Sequence, residues 1–336
     1  MLPPAPFADG PAGRACILPA TARGDVPTLS PSWWLRTAPL AAVELANKAE
    51  TFGLFQSAAG SAANGPLAEG IRQAWNSGAF SALWTAEGLG HGFAASACHA
   101  RWPRGGLLAR LDARALPAGA WLPLHTGMGL ALAERTLDGG GNLDVRLHRF
   151  EELCRTGSQP GYAMAAFEGL GFVARTLHSG RVSAIERILR ARSAELSAYF
   201  WHGVGRGLYF SPLHAFPGGT LAALVRAGAE PPAAAARANA VAGVAWALSL
   251  VNLRHGEVLE RIVELAAAGL GRPAREALAQ GMGAALAAWA GWVHAGPAAR
   301  GPGLPRVLGN PRIRRAFEEA SANCRAGRVE EIFRYR

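Results

Sequence analysis

Phe167-Glu168-Gly169-Leu170-Gly171 is the stretch on which the fold turns. Two glycines spaced by one residue sit among helix-forming Ala and Leu, and related motifs occur five more times. They are Glu87-Gly88-Leu89-Gly90, Thr126-Gly127-Met128-Gly129, His202-Gly203-Val204-Gly205, Ala242-Gly243-Val244-Ala245 and Gln280-Gly281-Met282-Gly283. The first glycines stand at 88, 127, 169, 203, 243 and 281, in steps of 39, 42, 34, 40 and 38. Periods of this size signal stacked helical units. The alternation of Glu-Gly-Leu-Gly with His-containing motifs also admits a longer duplication of two helical segments per copy. Glycine in a helix interior costs about 1 kcal/mol relative to Ala, so its recurrence demands a compensating gain. Pairs four apart (Gly88/Gly92, Gly127/Ala131, Gly203/Gly207, Gly243/Ala247, Gly281/Ala285) leave a smooth helix face, and Gly169/Val173 departs from the pattern. Such a face admits a second helix at close range, or a flat ligand against bare backbone.

Outward from these motifs, Ala/Leu-rich stretches alternate with short breaks at Pro, Gly or Asn. Examples are Asp138-Gly-Gly-Gly-Asn142, Gly157-Ser-Gln-Pro-Gly161, Pro217-Gly-Gly219 and Glu230-Pro-Pro232. Helical patterning begins at Pro39, with proline at a first helical position. The best strand candidate, Leu107 to Leu116, fits a helix equally well. The chain therefore reads as all-α: a single multi-helix domain of pseudo-repeated helical units joined by Gly-x-Gly contacts. Residues 1–32, rich in Pro, Ala and Gly, read as a flexible tail, 33–300 as the helical repeat domain, and 301–336 as a basic C-terminal segment packing on or extending from it.

Composition narrows the class. Half of the 336 residues are hydrophobic and 17% are charged, enough to build a large core and too apolar for intrinsic disorder. The net charge is +10, and Lys48 is the sole lysine. Nine arginines and four glutamates between Arg300 and Arg336 supply +5 of that total. With no run of five basic residues, zinc-finger spacing or RNA-binding signature, this argues against nucleic acid and for docking an acidic protein partner. Cys16, Cys98, Cys154 and Cys324 are scattered, and the first residues show no basic and apolar leader pattern, which points to a reducing, cytoplasmic setting. The long uncharged stretch Ala277–Ala299 is too weakly apolar for a stable membrane span and reads as a buried helix.

Six side chains could carry chemistry. Glu87 and His91 lie four apart and share a helix face. Glu168 occupies the place of Glu87 in its own motif, but Phe172 stands where His91 would be, so no symmetric metal site follows. In Trp201-His-Gly-Val-Gly-Arg-Gly-Leu-Tyr-Phe210, His202, Arg206 and Tyr209 would form a polar patch on a glycine-thinned helix. Arginine stays charged at any working pH and, inside an apolar body, needs a carboxylate, for which Glu168 and Glu87 are the natural choices. Glycine spacings such as Gly88-Leu-Gly-His-Gly lack the strand and acidic residue of a dinucleotide fold. No metal or other cofactor is identifiable.

The motifs Phe167-Glu-Gly-Leu-Gly, Trp201-His-Gly-Val-Gly-Arg-Gly-Leu-Tyr-Phe and Glu87-Gly-Leu-Gly-His resemble those of the UnbL-type proteins of bacterial enediyne antibiotic biosynthesis, a family of unknown function. The resemblance would extend from about residue 35 to the C-terminus. It implies an accessory protein or enzyme of secondary-metabolite (enediyne-type polyketide) biosynthesis that acts on or binds a linear apolar polyene intermediate, and an UnbV/ASPIC-type protein as partner. Glu87, His91, Glu168, His202, Arg206 and Tyr209 would then form the polar end of its site. The alternative is a non-catalytic helical scaffold that docks a biosynthetic partner.

Overall fold

The computed structural model describes residues 31–62, 66–98, 106–114, 116–211, 214, 218–295 and 303–335. The described residues form thirteen α-helices and no strands. In chain order they are α1 (Pro31–Ser61), α2 (Leu67–Asn76), α3 (Ala79–Cys98), α4 (Trp121–Asp138), α5 (Leu143–Gly157), α6 (Ala163–Leu177) and α7 (Val182–Arg192). There follow α8 (Ala194–Phe210), α9 (Gly219–Ala229), α10 (Ala234–Val251), α11 (Gly256–Gly269), α12 (Arg272–Ala295) and α13 (Pro311–Arg325).

The breaks act as the residue types dictate. The Asn142 side chain caps α5 by accepting from the amides of Asp144 and Val145, and Ser193 caps α8 through Glu195 and Leu196. Gly218 takes a left-handed conformation, φ 83°, ahead of α9. Two expectations fail. Pro39 does not open the first helix but lies inside α1, which starts at Pro31, so residues 31 and 32 belong to a helix and not to the tail; residues 1–30 lie outside those described. The Leu107–Leu116 stretch is neither strand nor α-helix: among its described residues, Leu108–Arg110 form one 3-10 turn.

The glycine motifs lie on α3, α4, α6, α8, α10 and α12, and these helices pack in sequence as neighbours, with α1 against α3 and α13 against α12. Glycine sets the spacing. A Cβ at Gly127 would fall on the carbonyl oxygen of Glu87, one at Gly203 on that of Glu168, one at Gly243 on that of His202, and one at Gly281 on that of Ala242. The second glycine of the motif serves the next helix: Gly90 meets Leu124, Gly129 meets Ala166, Gly171 meets Phe200 and Gly205 meets Ala240. The motif thus works on both sides, and the gain that offsets the helix penalty is backbone-to-backbone approach.

Register gives the direction. Gly203 lies on Glu168 and Gly207 on Arg175, so α6 and α8 run parallel; Gly88 on Phe55 and Gly92 on Ala59 make α1 and α3 parallel as well. Parallel neighbours need a returning element, and α7 and α2 fill that role. Helices α5, α7 and α9 each lie against both core helices they connect. The row also closes on itself. Trp75 stacks on Trp292 with centroids 4.2 Å apart, Trp292 Nε1 donates to the Ala79 carbonyl at 2.8 Å, and Asn47 Nδ2 donates to Asn252 Oδ1 at 2.9 Å.

Helix α10 is apolar all round because it is enclosed all round. It is long and apolar enough to cross a membrane by length and composition, and 78% of it is buried within the fold. The stretch singled out from sequence falls instead largely on α12, whose Met282, Ala284, Leu286 and Trp289 are core residues.

Candidate functional site

The close approach of Gly203 to the Glu168 carbonyl brings together the side chains flanking both glycines. Glu168 on α6 has no exposed surface. Its Oε1 accepts from His202 Nδ1 at 2.9 Å, and its Oε2 accepts from Arg206 Nη1 at 2.7 Å. His202 and Arg206 sit one turn apart on α8, so one carboxylate bridges both. Arg206 Nη2 reaches further, donating to Glu87 Oε1 on α3 at 2.8 Å. One guanidinium thereby joins three core helices, forming the charge-assisted pairs that a buried arginine requires.

Burial opposes ionisation of Glu168, but the Arg206 charge and the hydrogen bonds from His202 and Arg206 prevail and hold its carboxyl below the usual range. Burial dominates at His202 and pushes its imidazole down against the pull of Glu168. The ring is accordingly neutral at neutral pH, with its proton on Nδ1 facing the carboxylate. Burial also works against the charge on Arg206, and the two carboxylates more than restore it, so its pKa lies above the ordinary value. The Trp246 and Phe333 rings stand edge-on to His202, with centroids 5.9 and 5.4 Å away.

The other two expected residues are elsewhere. His91 does not join Glu87: its Nε2 pairs with Glu134 Oε2 of α4 at 3.0 Å, with Phe55 against its ring. Sharing a helix face with Glu87 brought the two no closer, because neighbouring helices supplied a different partner to each. Tyr209 belongs to a second buried network, in which its hydroxyl accepts from Asn252 Nδ2 at 3.0 Å and Lys48 Nζ sits 3.8 Å above its ring. Lys48 in turn pairs with Glu44, which accepts from the Thr220 hydroxyl. Burial pushes the Lys48 ammonium down, with Glu44 opposing. The sequence signal for this network was the solitary lysine. His125 is also structural: Nδ1 donates to the Trp121 carbonyl at 2.6 Å, Nε2 accepts from the Gln159 amide at 3.0 Å, and burial pushes the ring down to about 4.

Beside the Arg206 cluster lies a cavity of about 200 Å³. Its wall is aromatic, with Trp84, Tyr162, Phe210, Trp246, Trp289 and Trp292, and among its lining residues Glu87 and Arg206 carry the charge. Exposed Ala118 and Gly291 and half-buried Gly119, Cys324 and Val329 mark its open side. A dry cavity of ~150 Å³ is known to hold benzene, so this one suits a group of one ring or slightly more. It is smaller than the ~300–1,000 Å³ of drug-sized pockets.

Several polar groups at the site are engaged with one another or with the backbone. Arg206 is engaged by two carboxylates, Glu168 by two donors, and Thr126 Oγ1 donates to the Pro123 carbonyl at 2.8 Å. Cys324 is a thiol whose pKa burial raises, which disfavours the thiolate needed for nucleophilic attack. Among the described residues no group of three His, Cys, Asp or Glu side chains is placed to bind a metal ion. Compared with family models, curated proteins and solved structures, the chain matches none.

Proposed function

We propose that the protein binds one end of an apolar, unsaturated small molecule in the tryptophan-walled cavity beside Arg206. The observation that carries this reading is the cavity itself: the helical core leaves about 200 Å³ open against four indole rings and one ion cluster. Packed interiors leave few voids larger than a water, so a space of this size is consistent with a ligand. Following the resemblance to UnbL-type proteins, we assign the protein to secondary-metabolite biosynthesis of the enediyne type, with a linear polyene intermediate as the ligand class. The cavity takes one end of such a chain, and the rest extends through the open side.

The test is mass spectrometry of small molecules extracted from the purified protein. An apolar conjugated compound is expected from the wild type and not from Ala288→Phe, which fills the cavity from its half-buried rim. Equal recovery from both proteins, or none from the wild type in its producing host, sinks the reading. A second reading has its own support. Arg306, Arg312, Arg314, Arg315, Arg325 and Arg328 are all exposed on the C-terminal segment, a basic surface suited to an acidic partner such as an UnbV/ASPIC-type protein. Under that scaffold reading, charge reversal at these arginines abolishes partner capture and the cavity variant has no effect.

A further inference from the structure

We infer that the ligand group entering the central cavity is a small organic cation, an ammonium carried on an apolar frame. This rests on the proposed binding at that cavity and adds the charge of the bound end.

The first argument is charge balance. Glu87, Glu168 and Arg206 are all at least nine-tenths buried and give a formal charge of −1 at one point in the core. His202 is the one other titratable group in this hydrogen-bonded cluster; its Nδ1 lies 2.9 Å from Glu168 Oε1, and burial works against a charge on its ring. Arg206 is already shared between the two acids, so its charge is consumed. A net charge held away from water is costly unless something of opposite sign approaches it. Glu87 lies in the cavity wall, so a cation in the cavity would approach the excess charge directly.

The wall chemistry makes the second argument. Trp84, Trp246, Trp289 and Trp292 line a common space, and indole is the best aromatic partner for cations. One face of Trp292 is taken by Trp75 and its N–H by a backbone carbonyl, so it cannot offer a donor to an anion. The Thr126 hydroxyl has spent its proton on Pro123 and presents only lone pairs. Besides the Arg206 guanidinium, which the two acids already hold, the wall thus offers indole rings, the Glu87 carboxylate and the Thr126 acceptor oxygen. The exposed arginines of the C-terminal segment lie in solvent, where salt screens them within about 10 Å.

The experiment is a tryptophan-fluorescence titration of the full-length protein with phenyltrimethylammonium and with tert-butylbenzene, which match in shape and differ in charge. The cation is expected to bind about ten-fold more tightly. Glu87→Gln keeps an acceptor for Arg206, removes the excess charge, and is expected to bring the two affinities together. Trp84→Leu, which sacrifices no hydrogen bond because the indole N–H has no partner, should weaken the cation several-fold more than the neutral probe. If tert-butylbenzene binds as well as or better than the cation in the wild type, the charge inference falls and the apolar cavity stands. If neither binds, both fall. A cation preference that survives Glu87→Gln also overturns the inference, and the wild-type comparison decides it even if that variant does not fold.

Discussion

Arg206 is the residue on which the centre of the molecule depends. It is 4% exposed and ties Glu168 to Glu87 across three helices. Arg206→Met keeps much of the side-chain volume but leaves the fully buried Glu168 carboxylate with His202 as its remaining hydrogen-bond partner. Breaking a buried pair in this way costs about 3–5 kcal/mol, measurable by urea unfolding. Adding Glu168→Gln should recover much of the loss, and a double variant no more stable than the single one would show that the ion pair is not the source. Acid stability is also set by single residues. His125 titrates at about 4 in the fold against 6.5 when unfolded, because burial opposes its charge; His202 is lowered for the same reason. Between these values the unfolded chain binds more protons than the folded one, so stability is full above pH 6.5 and falls as pH drops toward 4. For His125 alone the loss is roughly 3 kcal/mol. Unfolding curves at pH 7 and pH 4.5 measure it, and His125→Gln should flatten the difference. The Arg206 pairing was legible in the sequence, because a charged side chain among apolar neighbours needs an acid and acids are few. The fates of His91 and Tyr209 were not, since helical spacing fixes the face a residue occupies and says nothing of what the adjoining helix offers there.

At the scale of the element, the glycine motif is a spacer with two working faces. Its first glycine receives the preceding core helix and its second the following one. Recurrence in sequence made the close contacts readable, and the choice between helix and ligand falls to the helix at every motif glycine whose surroundings are described above. Internal duplication is a separate matter. Residues 156–213 run α6–α7–α8, whereas 75–137 join α3 to α4 through 3-10 turns among their described residues, so superposition of the two segments is the test. The glycines themselves divide by environment. A Leu at Gly88, Gly127, Gly169 or Gly203 would overpack a backbone contact and cost about 1–3 kcal/mol or more, and even Ala is too large at Gly203. Gly60 of α1 faces open space, and Gly60→Ala should stabilise by about 0.4–1 kcal/mol through the unfolded chain. Thermal unfolding of Gly203→Ala beside Gly60→Ala checks both. Shifts of the same sign would mean that the spacing is not what these glycines provide.

At the scale of the whole molecule, the C-terminal residues hold the ring of core helices together, a role that the basic character of the segment concealed. The Glu330 carboxylate accepts from the Met164 amide of α6, and Arg334 donates to Glu195 of α8. Asn239 of α10 exchanges hydrogen bonds with the Tyr335 backbone in both directions. Within this clasp Phe333 is wholly buried, 4.8 Å from the Trp246 ring and edge-on to His202. A count of arginines describes the exposed face of such a segment and says nothing of the one phenylalanine that turns inward. Phe333→Ala should cost about 3–5 kcal/mol, the range for emptying a large aromatic site. It should have a second consequence that separates a plug from an ordinary core residue. Water admitted at this point reaches His202, the desolvation that lowers its pKa weakens, and its titration moves up toward 6.5 while that of His125 stays near 4. Proton NMR of the two imidazoles in the variant and the wild type follows both. A destabilised variant in which His202 titrates as before would make Phe333 mere filling, and one with wild-type stability would mean that the C-terminal segment does not clasp the core.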